Sequence, residues 1–315
     1  MCVLCRYLAV GHQVLGYDLR KATSPIILEP VQDLTLSLET TDEVNQLSFS
    51  SGRSGPVYIA AADDSGYVRV SDTLYPSNQS QGRRKFLHHD PHQQALVTCA
   101  AFHPKINAEL CSGGTDCTLN LWNMNKPHKA THSLLIPRDD GDSDAGVGQI
   151  CNPPMVHSLA WSPSGRWIVA GLGDGTIQVT DKSLTPRHRL RGGHTTGVAS
   201  VCFCEFTTTV GQTVDVNDRI VASGGSDGNV VLWDLGMELA GKFAVNPLAN
   251  INPLDDDLSN LSLETKTRMP RVLFAIPHGS KVNCIASSRA LDPIFPSTLF
   301  VADTSNDITA YTLPL

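Results

Sequence analysis

Charge is scarce in this chain. Only 17% of its 315 residues are Asp, Glu, Lys or Arg, where an average soluble domain carries roughly a quarter. The formal net charge is −7, so the cationic excess that binds phosphate backbones broadly is missing, and direct nucleic-acid binding is not expected. No run of apolar residues approaches the roughly 18 needed to cross a bilayer as a helix. The opening MCVLCRYLAV has one Arg and too short an apolar core for a signal peptide. No GxSxG, HExxH, P-loop or dinucleotide fingerprint occurs, which leaves nothing to mark an enzyme, and no cofactor is expected. The cysteines, nine in number, form no CxxC pair with a matching second pair. Cys99, Cys111, Cys117, Cys202 and Cys204 fall in or beside strand patterns, so reduced buried thiols in a cytoplasmic or nuclear protein are expected rather than disulfides or zinc.

Turn formers, by contrast, are plentiful: 25 Gly and 19 Pro, spread along the chain. The most regular stretch is residues 193–235. It opens on Gly193-His194 and continues through an apolar run holding Val198, Val201 and Phe203. A polar excursion leads to Ile220-Val221-Ala222-Ser223, and the tight turn Gly225-Ser226-Asp227-Gly228 leads to Val230-Val231-Leu232-Trp233-Asp234. Short β-branched pieces bounded by turn residues predict antiparallel strands.

A Gly-His start and a Trp-Asp end about 40 residues apart resemble one WD40 repeat, a four-stranded blade of a β-propeller. In that family a histidine before the first strand, a serine on the second, an aspartate in the turn and a tryptophan on the third form a buried hydrogen-bond chain. The resemblance places these roles on His194, Ser223, Asp227 and Trp233, and on His92, Ser112, Asp116 and Trp122 in residues 92–123. They are expected to hold strands in register, not to act chemically. Degraded repeats lie at 44–72, where Ser71-Asp72 stands for Trp-Asp, at 156–181, where Thr180-Asp181 does so and Ala170 replaces the serine, and at 278–315, where Tyr311 takes the tryptophan position. Residues 7–20 read as the latter part of a further repeat, with its opening strand missing. The expected fold is therefore all-β, a single WD40 propeller domain over 1–315 with five full repeats and a partial N-terminal one. Residues 125–153 and 236–277 are expected to be irregular insertions.

Several blocks in order, AADDSGYVRVSD (61–72), His157-Ser158 after an asparagine-proline, GGHTTGVASVCF (192–203), GGSDGNVVLWD (224–234), HGSKVN (278–283) and LFVADTSNDITAYTLPL (299–315), are similar to one branch of the WD40 family. That branch is seven-bladed and has a further blade ahead of the point where this chain starts. The expectation is an open ring, or a six-bladed one closed by residues 1–20. The branch also has a strongly basic late insertion, which residues 236–277 do not match. The resemblance implies a non-enzymatic scaffold, a candidate substrate receptor of a cullin-4 ubiquitin ligase that docks on the DNA damage-binding protein 1 adaptor. Such receptors end a repeat in Trp/Tyr-Asp-hydrophobic-Arg, and Tyr17-Asp18-Leu19-Arg20 fits; Leu74, Asn125 and Gly236 hold the arginine position elsewhere. An arginine just past a strand offers a planar set of donors to a partner's carboxylate or carbonyl. The alternative is a general propeller scaffold reading a peptide or histone tail without a ligase link.

Three further clusters carry weaker signals. DDGDSDAG (139–146) has the spaced aspartates of a calcium loop. Counted from Asp140, however, Ala145 stands where the loop needs Gly and Cys151 where it needs Glu, so a solvated acidic loop is expected. His88-His89-Asp90, beside His92, is ligand-like in composition but is expected to form loop and outer-strand surface. Lys182, Arg187, Arg189 and Arg191 make a basic connection, read as a solvated outer strand and loop.

Overall fold

The computed structural model describes residues 5–18, 29–30, 32–33, 38, 40–51, 58–72, 84–87, 95–126, 129–138, 152–204, 218–236, 270–288, 298–305 and 307–312. Contacts group the chain into two compact units, Met1–Leu135 and Ile136–Leu315, where the sequence predicts one domain. Each unit is described by itself.

The first unit holds three antiparallel sheets. One is β1 (Cys5–Val10), β2 (Gln13–Asp18) and the two-residue β3 (Gln32–Asp33). The second runs β4 (Val44–Phe49), β5 (Tyr58–Asp63), β6 (Tyr67–Asp72) and β7 (Arg84–Leu87). The third runs β8 (Val97–Phe102), β9 (Glu109–Gly114), β10 (Thr118–Asn123) and β11 (His132–Leu135). The second unit also holds three. They are β12 (Val156–Trp161), β13 (Trp167–Leu172), β14 (Ile177–Asp181) and β15 (Pro186–Leu190); β16 (Val198–Phe203), β17 (Ile220–Gly225), β18 (Asn229–Asp234) and β19 (Arg271–Pro277); and β20 (Val282–Ser287), β21 (Thr298–Asp303) and β22 (Ile308–Thr312).

Two stretches expected to be irregular contain strands. β11 lies within 125–153 and β19 within 236–277. Both are fourth, outermost strands. His132-Ser133-Leu134-Leu135 and Arg271–Pro277 alternate poorly because only part of an outer strand faces other protein: β11 shows two exposed residues before a half-buried one, and β19 alternates exposed with half-buried positions at its ends. Their hydrogen bonds come from pairing with β10 and β18, not from a periodic pattern in their own residues.

The five first strands share one irregularity. Each skips a pairing step after its opening valine, at Val44/Gln46, Val97/Cys99, Val156/Ser158, Val198/Ser200 and Val282/Cys284. The bulge aims the third residue sideways. In the second unit Ser158 Oγ accepts the Val201 amide at 3.2 Å and Ser200 Oγ accepts the Ile285 amide at 3.0 Å. In the first unit Gln46 Oε1 accepts the Ala100 amide at 2.9 Å. Adjacent first strands are thus stitched by side chains of the third residue to the backbone of the next strand's fourth.

The second and third strands meet in a turn whose last residue lies in the left-handed region. Gly66 (φ 81°), Gly175 (φ 85°) and Gly228 (φ 76°) fill it at no steric cost, whereas the β9–β10 turn puts Cys117 there at φ 63°. The central strands β13 and β17 are buried along their whole length. In the second unit Val169, Ile177 and Val179 pack with Val198, Val201, Val231 and Trp233, and Val230 and Leu232 pack with Val282, Ile285 and Leu299. Each such aliphatic side chain contributes about 1.5–3 kcal/mol when fully buried.

Candidate functional site

The sheet β16–β19 assembles four polar side chains that lie up to 39 positions apart in sequence, His194 to Trp233. His194, on the approach to β16, places Nδ1 3.1 Å from Asp227 Oδ1 and Nε2 2.7 Å from Ser223 Oγ. Trp233 Nε1 donates to the same Ser223 Oγ at 2.8 Å. The backbone amides of Thr195 and Asn229 donate to the Asp227 carboxylate at 2.9 and 3.1 Å. Burial pushes the Asp227 carboxyl up, but these amides and the His194 ring outweigh it, and the group ends below its ordinary value. Burial pushes His194 down, so its ring is neutral. One arrangement of protons satisfies every partner: Trp233 N–H to Ser223, Ser223 O–H to His194 Nε2, and His194 Nδ1–H to Asp227.

The order Ser-His-Asp mimics a hydrolase triad, and the distances suit one. The surroundings do not. Ser223 has no solvent exposure. One of its oxygen's acceptor positions is already occupied by the indole of Trp233, so no substrate carbonyl reaches it. The chain is a structural lock tying the approach to β16 to the β17–β18 hairpin.

Four of the other sheets close the corresponding position differently. In β8–β11, Trp122 Nε1 donates to Ser112 Oγ at 2.7 Å, and Asp116 Oδ1 accepts the Thr118 amide at 3.0 Å and its hydroxyl at 2.7 Å; His92 lies outside the described residues. In β4–β7, buried Arg69 pairs with buried Asp63 and reaches Ser65 Oγ at 3.1 Å. In β12–β15, Arg189 pairs with the turn aspartate Asp174 and donates to Thr176 Oγ1 at 2.9 Å and to the Pro137 carbonyl at 2.8 Å. In β20–β22, His278 bonds the Tyr311 hydroxyl and Asp303 Oδ2, both at 2.7 Å. The reading of Arg187 and Arg189 as solvated is therefore corrected. Arg189 is buried, and Arg187 pairs with Asp181 at 2.6 Å. Register places each beside an aspartate on or next to the neighbouring strand, and composition alone does not reveal that. Ahead of β12 the sequence has no Gly-His, and that absence, beside an intact Asp174 turn, was the available signal for a substitute cation.

At the opposite ends of the third strands sit the aspartates of the Trp-Asp positions. Asp234 is held by both arms of Arg219, one of them at 2.6 Å, with Arg271 at 3.5 Å. Burial alone would raise Asp234, but the Arg219 and Gly236 hydrogen bonds bring it below its ordinary value. Asp18 ends β2 and is buried at 6% exposure; Tyr17 beside it is half-buried. Leu19 and Arg20 lie outside the described residues, as do His88, His89, Asp90 and the acidic run 139–146. Among the described residues no cluster of three or more His, Cys, Asp or Glu is set to hold a metal, and no helix is long and apolar enough to cross a membrane. Cys99, Cys111 and Cys204 are free and buried, and burial pushes the Cys99 thiol up to about 12.

Sheets of this strand order, with a bulged first strand and a His-Ser-Trp-Asp lock at one corner, define the blade of a WD40 β-propeller. The chain contains WD40 repeats: residues 84–123, 149–181 and 184–234 match the family described as "WD domain, G-beta repeat". It is similar to the WD repeat-containing protein 53 homolog of Dictyostelium discoideum, 23% identical over 96% of this chain and 75% of the relative. It is also similar to WD repeat-containing protein VIP3 of Arabidopsis thaliana, 26% identical over 56% of this chain and 55% of that one. A chain in a crystal structure of the mitotic checkpoint complex shares the fold, with a TM-score of 0.63 and 15% identity over 98% of this chain and 70% of that one.

Proposed function

We propose that this WD40 protein is a non-enzymatic interaction scaffold serving as a substrate receptor of a cullin-4 ubiquitin ligase, docked on the DNA damage-binding protein 1 adaptor through Tyr17-Asp18-Leu19-Arg20. The observation that carries the reading is the end of β2. Asp18 is buried there, which anchors the last position of the strand and leaves Leu19-Arg20 to follow it directly. Similarity along 96% of the chain to a WD repeat-containing protein 53 homolog supports the same reading. We place the protein in the cytoplasm or nucleus, in keeping with its buried free thiols. Co-elution of the purified chain with purified adaptor tests the assignment. Formation of a complex that Arg20→Ala weakens at unchanged folding supports it, and absence of any complex overturns it.

A second reading is a peptide-binding scaffold without a ligase link. It is favoured by the exposed His157, Lys281 and Asn283 at the starts of the first strands β12 and β20, which lie on either side of β16 in the second unit. The adaptor would then be dispensable, and substitution of His157 and Asn283 would weaken capture of the peptide.

A further inference from the structure

The first strands β12, β16 and β20 lie side by side in the second unit. The residue after the opening valine is His157 in β12, Ala199 in β16 and Asn283 in β20. His157 and Asn283 are exposed, as is Lys281 just ahead of β20, whereas Gly197 is buried and Ala199 half-buried. Polar side chains on the two outer strands therefore flank a floor of small residues on the middle one. The flanks are held in place. The His157 ring hydrogen-bonds the Val198 backbone. Two glycines close on the same ring: a Cβ on Gly197 would stand 3.0 Å from Cε1, and one on Gly173 3.3 Å from Nε2. Asn283 Nδ2 donates to the Asp303 carbonyl at 2.9 Å, which fixes the amide and leaves Oδ1 as an acceptor. The Thr304 amide donates to the Lys281 carbonyl at 3.2 Å and anchors the backbone that carries the ammonium group. The charge of Lys281 is felt at His157 across β16. The aspartates at or beside the turns of these sheets are already engaged, Asp174 by Arg189, Asp227 by His194 and Asp303 by His278, and among the described residues none pairs with Lys281.

We infer that this notch takes an acidic segment of a partner protein, with an Asp or Glu carboxylate seated over Gly197 and Ala199 between His157 and Lys281. A main-chain N–H of the same segment donates to Asn283 Oδ1. The ammonium group supplies charge-assisted hydrogen bonds to the carboxylate. A ring already fixed by its surroundings loses little freedom on binding. A basic segment such as a histone tail meets Lys281 with like charge and is rejected. Selectivity rests on these short-range contacts, because the net charge of −7 repels an acidic partner at longer range. The assignment rests on the scaffold reading and names the chemistry of what the scaffold holds. It uses none of the residues assigned to the adaptor.

A random heptapeptide library displayed on phage is selected on the full 315-residue protein with no adaptor present. Enrichment of Asp or Glu at one fixed position is expected. Lys281→Glu should exchange that preference for Lys or Arg, which a merely structural lysine would not do. The most enriched peptide, labelled and titrated by anisotropy, should lose about tenfold in affinity with Lys281→Ala or His157→Ala, which corresponds to about 1.4 kcal/mol. Replacing its acidic residue by the matching amide should cost about as much. Both protein side chains are exposed, so thermal unfolding of the variants should match the parent and separate lost docking from lost folding. Peptides enriched without an acidic position, yet weakened by Asn283→Ala, overturn the acidic assignment and leave the scaffold reading standing. Affinity indifferent to both Lys281→Ala and His157→Ala, or no enrichment at all, overturns the site itself.

Discussion

Ser223→Ala removes one oxygen and strands two buried partners. Trp233 Nε1 loses its acceptor at 2.8 Å and His194 Nε2 loses its donor at 2.7 Å. Trp233 is almost fully buried and the His194 ring is inside the sheet corner, so water reaches neither without opening the corner. An unsatisfied buried group costs about 1–3 kcal/mol, and two in one network do not add fully, so the expected loss is about 2–4 kcal/mol. The cavity left by a hydroxyl is too small to add much. Urea unfolding followed by tryptophan fluorescence should show a lower midpoint at unchanged slope. A double-mutant cycle with Trp233→Phe tests the mechanism. Once the indole donor is gone, Ser223→Ala should cost about 1 kcal/mol less. A single-mutant loss below about 0.5 kcal/mol, or strict additivity in the cycle, would refute the claim that this chain of hydrogen bonds locks the sheet.

Thr180 occupies the tryptophan position of β14, and its buried hydroxyl has no hydrogen-bond partner among the described residues; Thr180→Val keeps the shape and should raise stability by about 1 kcal/mol in the same urea assay. Cys117→Gly relieves a left-handed backbone conformation and should stabilise the first unit by about 1 kcal/mol in thermal unfolding. Burial, then the neighbouring Arg187, lowers His188 from 6.5 to about 4, and His194 is lowered in the same direction. A histidine lowered on folding stabilises fully above its unfolded value and loses that contribution as pH falls. Stability should therefore drop between pH 6.5 and about 4, by about 1–2 kcal/mol for half-buried His188, and His188→Gln should flatten that slope in pH-dependent unfolding. Below that window the lowered carboxyls of Asp181, Asp227 and Asp234 add a second loss as they protonate.

The all-β architecture was legible because a WD40 blade advertises itself through local features. Gly193-His194, the turn at Asp227 and Trp233-Asp234 are short motifs at fixed offsets, and the lock they form depends on those offsets. The repeats at 44–72 and 156–181 could be placed by their turns even without tryptophan. What replaced the tetrad in them was not legible. Arg69–Asp63 and Arg189–Asp174 are cross-strand pairs whose meeting depends on register, and an arginine in sequence looks the same whether it is solvated or buried. The fourth strands β11 and β19 were missed because partial exposure erases their alternation. The exposure of Ile308 was hidden for a related reason: its residue type matches Val68, Leu119, Ile177 and Val230, which are buried.

Hydrogen exchange of the protein with and without the purified DNA damage-binding protein 1 adaptor tests the functional reading most directly. The account predicts a saturable complex in which amides of β2 and the residues that follow it, through Arg20, gain protection, while the starts of β12 and β20 around His157 and Asn283 exchange unchanged. Absence of a complex, or protection confined to those first-strand ends, would contradict it.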